Sequence, residues 1–438
     1  MLKAGFSRVD VTPPLGSDLW GYFYKRVAKS ILDPIEVSAL ALSDEKETAL
    51  VIIADFEAIQ MKYAGKIKKL VSAKTGIKPE CIFIHTTHAH TSIGLTEPSI
   101  IPYENSLLED YSYLDFLYRK FVDVSVMAIE DMSEAKWSWG EKEAIEHFSH
   151  VRRYIMKDGL VKTNPFGVEK DIVRPSEESD NTVRLVRFKR EGKKDIAFVN
   201  YQVHADSVGK EAFSADWPGF ARRKVEKVLK DVYCAVIVGF QGDVGTMSFI
   251  NPIKNSDVPR YMLVGNAIAD TVIGAWDKTV DGTSDILYGA VDMVYTNVNT
   301  DKEEFYEECK RYIKEVDESG EAKTPVLKSP SGISYVEALR IVNIKELEPM
   351  YRKVPVSVLT IGELAIVGIG GEPFVNYGKA VRDTFPEKKI FTACLMNGYE
   401  GYLPTKTAFD LGGYEVVTSP FTPSVQDECI EVIKKIMK

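Results

Sequence analysis

The chain has 438 residues, with 55 Lys and Arg against 64 Asp and Glu, a formal net charge of −9, 45% hydrophobic and 27% charged residues, the balance of an ordinary globular protein. Acidic and basic residues are interleaved, so there is no basic stripe for a nucleic-acid surface, and no run approaches the ~18 apolar residues of a membrane span. "MLKAGFSRVDVTPPLG" has no apolar run of signal-peptide length, and the five scattered cysteines (Cys81, Cys234, Cys309, Cys394, Cys429) lack a Cys-x-x-Cys pair, which predicts reduced thiols and a cytoplasmic protein.

In chain order, residues 1–45 are rich in turn signals and aromatics ("VTPPLG", "LWGYFYKR", "LDPIEV"). They read as irregular chain, either lining a pocket or packed as a surface arm. Apolar runs then recur at 48–59, 81–88, 195–204, 233–243, 363–372 and 389–399, nearly continuous, as in strands covered on both faces. Helical patterns lie between them. Residues 63–76 end in Gly, 216–232 begin with an Asp cap and an early Pro, and 374–385 and 427–437 are amphipathic. Alternating strands and helices predict an α/β fold of layered mixed sheets flanked by helices, over one domain spanning 1–438. The charge-rich stretch 300–353 reads as a helical insertion or lid within it.

The chemistry concentrates at strand ends. Three of the six histidines, His85, His88 and His90, fall within "CIFIHTTHAH". In an extended chain, positions i and i+2 point the same way, so His88 and His90 are expected to face one site and His85 to point elsewhere. Other apolar runs end in His204, Asp243, Glu372 and the pair Tyr399 and Tyr402. The C-terminal ends of strands are where ligand crevices form in α/β sheets. Two imidazoles and a carboxylate make a Zn²⁺-type ligand set that leaves a position open for water, with Mn²⁺ a second possibility. Zinc brings the pKa of such a water toward ~7. A neighbouring phenol completes the shell or donates to an oxyanion. The pattern predicts metal-assisted attack on a carbonyl carbon.

These stretches resemble the neutral/alkaline ceramidase family, in its N-terminal catalytic domain. The resemblance is carried in order by "AGFSRVDVTPPLGSDLWGY", "LDPIEVSALAL", "HTTHAHTSIG", "VHADSV", "SADWPG", "GDVG", "GGEPF" and "NGYEGYLPT" with "GGYE". It implies one zinc held by His88, His204, Glu372 and Tyr402, with Tyr414 near the metal and His90 facing substrate as a proton relay. Arg152 and Arg153 of "RRY" match an arginine segment near the site, with a solvated basic patch as the alternative; Tyr399 is a substrate-side candidate, and Asp243, a catalytic candidate, is expected to hold its loop or a histidine behind the metal ligands. Two departures stand out. "GDVGTMS" puts Gly245 where the family carries a serine, and Ser248 is three residues on, which favours metal-hydroxide attack over a serine nucleophile. The family's secreted members carry a signal peptide and a β-sandwich tail, and the expectation here is a short cytosolic relative without them.

The expected function is a zinc-dependent hydrolase of a small polar carbonyl compound, cleaving a C–N amide bond or a C–C bond of a cyclic diketone from sugar or cyclitol catabolism. The alternatives are a ceramide or N-acyl-lipid amidase and a non-catalytic zinc-binding protein. The expected partner is a small molecule, not a membrane or nucleic acid. The oligomeric state and the role of 300–353 stay open.

Overall fold

The computed structural model describes residues 1–97, 106–253, 256–319, 329–346 and 351–438. A nine-stranded mixed sheet dominates it. Its main path runs Val232–Val238, Asp195–Tyr201, Thr182–Arg190, Ser133–Glu143, Lys3–Asp10, Glu36–Ser43, Thr48–Ala54 and Ile82–Thr86. The interior pairs are antiparallel, whereas the pair at each edge is parallel. A second sheet of four strands, Leu287–Asn297, Tyr351–Ile361, Leu364–Ile369 and Lys389–Ala393, also ends in a parallel pair.

Parallel neighbours need a crossover, and each of the three pairs has one helix for it: Met61–Thr75, Asp216–Leu229 and Val375–Thr384. The first helix stops where Gly76 takes φ 75°, the left-handed conformation that suits glycine. The three units explain why the six continuous apolar runs were legible as strands: they are the strands of the parallel pairs, buried on both faces. The layers pack accordingly. Ile67, Phe121, Val51, Leu359 and Phe391 share one core; Trp217, Val225, Ile268 and Val236 share a second; Val356, Val381 and Ile433 share a third. Each large apolar side chain so enclosed contributes about 1.5–3 kcal/mol.

Several expectations need correcting. Residues 1–45 are not irregular throughout: Lys3–Asp10 and Glu36–Ser43 pair along eight positions inside the large sheet. The turn-rich part between them does reach a cavity, through Gly21, Tyr22 and Phe23. Asp216 is the first residue of its helix and not the one before it; at φ 52° its carboxylate accepts from the helix N–H of Trp217 and also from the backbone N–H groups of Ser207 and Val208. Within 300–353, Tyr306–Ser319 and Tyr335–Glu346 are helices, but from Tyr351 onward the chain is a strand of the second sheet. The "KTPVLK" part of that stretch lies outside the described residues. The two helices pack on Phe23, Tyr414 and Val417, and the Arg340 Nε–H donates to the Val417 carbonyl at 2.9 Å.

His85 sits where three edge strands meet. The Val238 N–H donates to its Nε2 at 3.0 Å, and its own Nδ1–H donates to the Cys394 carbonyl at 2.8 Å. One ring thus ties 82–86, 232–238 and the end of 389–393 together, in a fixed tautomer. Burial lowers its pKa to about 4, so the ring is neutral at pH 7. Asn200 and Asn397 stitch the same seam: Asn200 Nδ2 donates to the Ile237 and Thr392 carbonyls, and Asn397 Oδ1 accepts from the Ile84 N–H. This seam brings the C-terminal ends of all three parallel pairs to one place.

Candidate metal centre and cavity

His88 and His90 follow Thr86, His204 follows Tyr201, and Glu372 follows Ile369. The two histidines, His204 and Glu372 come from three different parallel units, so the seam at His85 converts distance in sequence into contact. Glu372 Oε2 lies 3.3 Å from His88 Nε2 and 3.2 Å from His204 Nε2. His90 Nε2 is 3.2 Å from His88 Nε2. All three imidazoles offer ring nitrogens within 4.8 Å of one another, a group able to hold a metal ion. The reason for convergence differs from the expected one. His88 is not extended but takes φ 59°, a region costly for a residue with Cβ, and this kink turns both side chains inward.

The tautomers are set by main chain. His88 Nδ1–H donates to the Glu57 carbonyl at 2.8 Å, and His204 Nδ1–H donates to the Gln241 and Val244 carbonyls at 2.9 and 3.0 Å. Each Nε2 lone pair therefore faces the centre, the arrangement that backbone acceptors impose on metal-binding histidines. His204 Nε2 and Glu372 Oε2 are buried and neither makes a hydrogen bond. Desolvation lowers His90 to about 3 and His204 to about 4, leaving both neutral. At His88 burial acts the same way, but the Glu372 carboxylate overrides it and raises the ring to about 9. Burial likewise opposes ionisation of Glu372, yet the two imidazoles hold it well below the ordinary carboxylate range. The cluster thus favours one positive charge at its centre, as a proton or as a cation. Donor types and orphaned atoms both fit a divalent ion.

A cavity opens beside the cluster, lined by Gly21, Tyr22, Phe23, Glu57, His88, His90, Glu372, Tyr399, Tyr402 and Tyr414 among others, with about 690 Å³ of unfilled space including its solvent mouth. Gly21 has to be glycine: at φ 97° a Cβ there would fall 2.5 Å from His90 Nδ1. The fold and the cavity together invite comparison with solved structures. Neutral ceramidase from Pseudomonas aeruginosa superposes with a TM-score of 0.69 at 14% identity, over 99% of this chain and 74% of that one. The chain has the neutral ceramidase fold. A ceramidase complexed with C2 superposes equally well, with the same coverage, while no family model and no curated protein matches the sequence. Among the described residues no helix is long and apolar enough to cross a membrane.

Within this ceramidase fold, the remaining expected site residues fall into two groups. Tyr399, Tyr402 and Tyr414 line the cavity, Tyr402 and Tyr414 with ring centroids 5.8 Å apart. Arg152 stands behind them: it donates to the Tyr402 hydroxyl oxygen at 3.0 Å, to the Gly242 carbonyl at 2.9 Å and to Glu415 at 2.9 Å. Arg153 does not face the cavity. Its guanidinium is buried on Glu415 and the Gly412 carbonyl, because a charge taken from water needs a paired, hydrogen-bonded home. Asp243 is also turned away. Its Oδ1 accepts from the Val375 N–H at 2.7 Å, and burial raises its carboxyl to about 7. It anchors the loop whose Gln241 and Val244 carbonyls orient His204, rather than reaching substrate.

Three residues near the centre escaped the sequence reading. Glu57 ends the run "VIIADFE", lines the cavity and is 3% exposed. Burial raises its carboxyl to about 7. Asp206, two residues after His204, accepts from the Tyr22 hydroxyl at 2.6 Å and comes 3.9 Å from His90 Nδ1. Glu415 locks Arg152, Arg153 and Thr163 at 2.8–2.9 Å. The first two had a signal, an acidic residue at or just past a strand end. Glu415 had only its place in "GGYE".

Proposed function

We propose that the protein is a metal-dependent hydrolase acting on a carbonyl of a small polar substrate, with zinc as the ion and His88, His204, Glu372 and Tyr402 as its ligands. The observation that carries this reading is the convergence of His88, His204 and Glu372 from three parallel units beside a cavity open to solvent, with His204 Nε2 and Glu372 Oε2 buried and unpaired. A divalent ion held there supplies Lewis acidity toward a carbonyl oxygen and acidifies water toward pH 7. The Arg152 guanidinium, donating to Tyr402 oxygen, favours the phenolate that ligation needs and fixes its direction. Tyr414 donates its hydroxyl proton to the developing oxyanion. His90, neutral and in contact with His88, accepts a proton at one ring nitrogen and returns it to the leaving group. The aromatic wall of Tyr22, Phe23 and Tyr399 limits water around the reacting bond.

The bond cleaved is C–N in an amide or C–C in a cyclic diketone. Gly245, where a serine nucleophile is expected by resemblance, supports the metal route for both. The shared fold with ceramidases favours one second reading, hydrolysis of N-acyl lipids. A structural metal site is disfavoured, because such sites are closed and usually rich in Cys. The test is hydrolysis of a panel of short-chain amides, lactones, cyclic diketones and N-acyl-sphingosines by wild type and His88→Ala, each with metal content measured. Turnover confined to N-acyl-sphingosines supports the second reading. Metal binding without turnover of any class refutes both.

A further inference from the structure

Glu57 is a second carboxylate on the wall of the metal-side cavity, and nothing in the reading above uses it. Its main chain is fully engaged: the N–H donates to the Ile93 carbonyl at 2.8 Å, and the carbonyl accepts from His88 Nδ1 at 2.8 Å. The backbone is therefore as rigid as the histidine it holds. The side chain is the opposite. Oε1 is 3.7 Å from His88 Nδ1, too far for a hydrogen bond and with that proton already given to the carbonyl. Oε2 is buried and has no partner. A buried carboxyl oxygen left so forgoes the hydrogen bonding it has in water, a cost that persists in a fold only where something else meets it. Gly94 packs beside it, and a Cβ there would sit 3.3 Å from that oxygen.

Resting on the reading of the cavity as a metal-hydrolase site, we infer that Glu57 is a specificity-determining residue: its free carboxyl oxygen accepts a hydrogen bond from a hydroxyl or N–H that the substrate carries close to the carbonyl attacked. The position decides the geometry. Glu57 Oε1 lies 3.7 Å from Nδ1 of the His88 ring, Glu372 Oε2 lies 3.3 Å from its Nε2, and both residues line the one cavity, so a ligand seated beside Glu372 has Glu57 on the same wall. Substrates that lack a donor there leave a buried polar group unpaired. That is the situation in which a site rejects an analogue strongly, in contrast to the weak rejection an apolar pocket manages.

The test uses metal-chelating probes, so that binding is read without turnover. 2-Hydroxyaceto-, 3-hydroxypropano- and 4-hydroxybutanohydroxamic acid are each compared with the alkyl hydroxamic acid of equal heavy-atom count, by calorimetry on zinc-loaded full-length protein. Wild type is expected to bind at least one hydroxylated member tenfold or more tightly than its alkyl twin. Glu57→Ala and Glu57→Leu should abolish that preference while binding the alkyl twin within about twofold, and should retain their metal. Equal affinities in wild type across all three pairs, or a preference that survives both substitutions, would overturn the assignment of Glu57 alone. If zinc-loaded wild type binds no hydroxamate, the metal-hydrolase reading falls and this inference with it.

Discussion

His204 Nε2 stands 3.2 Å from Glu372 Oε2, with both atoms buried and neither hydrogen-bonded. Two acceptors facing each other at that distance repel unless positive charge lies between them. The expected outcome is about one equivalent of divalent metal per chain, read by elemental analysis after dialysis. His204→Ala and Glu372→Ala should lose it, whereas His90→Ala should keep it if His90 serves the substrate and not the ion. Because only the folded chain presents the donors together, metal at a hundred times its dissociation constant should add about 2.7 kcal/mol of stability, visible as a Tm drop on chelation.

His85, three residues before His88, has a different task, and its substitution should show it. Removing the ring strands the Val238 N–H and the Cys394 carbonyl and opens a space in a close-packed seam. His85→Ala should therefore cost about 2–5 kcal/mol in urea denaturation. The pH dependence has a definite sign. The folded pKa, about 4, is below the unfolded value near 6.5, so the unfolded chain binds the proton more readily. Stability is full above pH 6.5 and is lost as pH falls toward 4. The wild type minus His85→Gln difference should shrink over that window. A difference independent of pH would refute the neutral, doubly bonded ring.

Asp243 gives the opposite slope. Its carboxyl is raised to about 7 by burial, so the folded state holds the proton where the unfolded state has released it. That contribution is full below about pH 4 and lost as pH rises through 7. Asp243→Asn retains an oxygen for the Val375 N–H and carries no charge. It should raise stability at pH 8 by about 1–3 kcal/mol and change it little at pH 4, measured by thermal unfolding at both values.

What could be read from the sequence follows from how local each signal is. The strands of the parallel units announced themselves because burial on both faces leaves an unbroken apolar run, as in "CIFI" and "AIVGI". Lys3–Asp10 and Glu36–Ser43 did not, since their neighbours "VTPPLG" and "LDPIEV" speak of turns and their pairing is decided by partners tens of residues away. The histidines and Glu372 were legible as polar residues closing apolar strands. The direction of a side chain was not. Arg153 sits in the expected stretch but turns toward Glu415, while Glu57, unremarkable in "ADFEAI", turns inward. The direction of Arg153 depends on the 412–415 turn, far away in the chain.

Glu415 holds both arginines, so its loss should be felt twice. Glu415→Ala leaves two guanidiniums, one of them fully enclosed, without their counter-charge, and breaking a buried ion pair by removing one partner costs about 3–5 kcal/mol. It should also free Arg152 from the Tyr402 oxygen. Arg152→Met separates the effects: it keeps the Arg153–Glu415 pair, so stability should fall less, while turnover of whichever carbonyl substrate is found should drop by about tenfold or more through a misdirected phenol. Full turnover in Arg152→Met, with metal bound, would show that Tyr402 needs no such support.

Gly21 tests the cavity from the other side. At φ 97°, with His90 Nδ1 2.5 Å from the place a Cβ would take, Gly21→Ala must displace either its own loop or the His90 ring. His90 is held at its main chain, with its N–H donating to the Ala205 carbonyl and its carbonyl accepting from Arg26, so the ring is the part able to give. The expected result is metal content within error of wild type, because His88, His204 and Glu372 lie beyond the clash, together with a fall in kcat of about a hundredfold, the scale of a misplaced proton relay. Loss of metal and activity together in Gly21→Ala would instead place His90 among the ligands, and His90→Ala would then have to lose its metal as well.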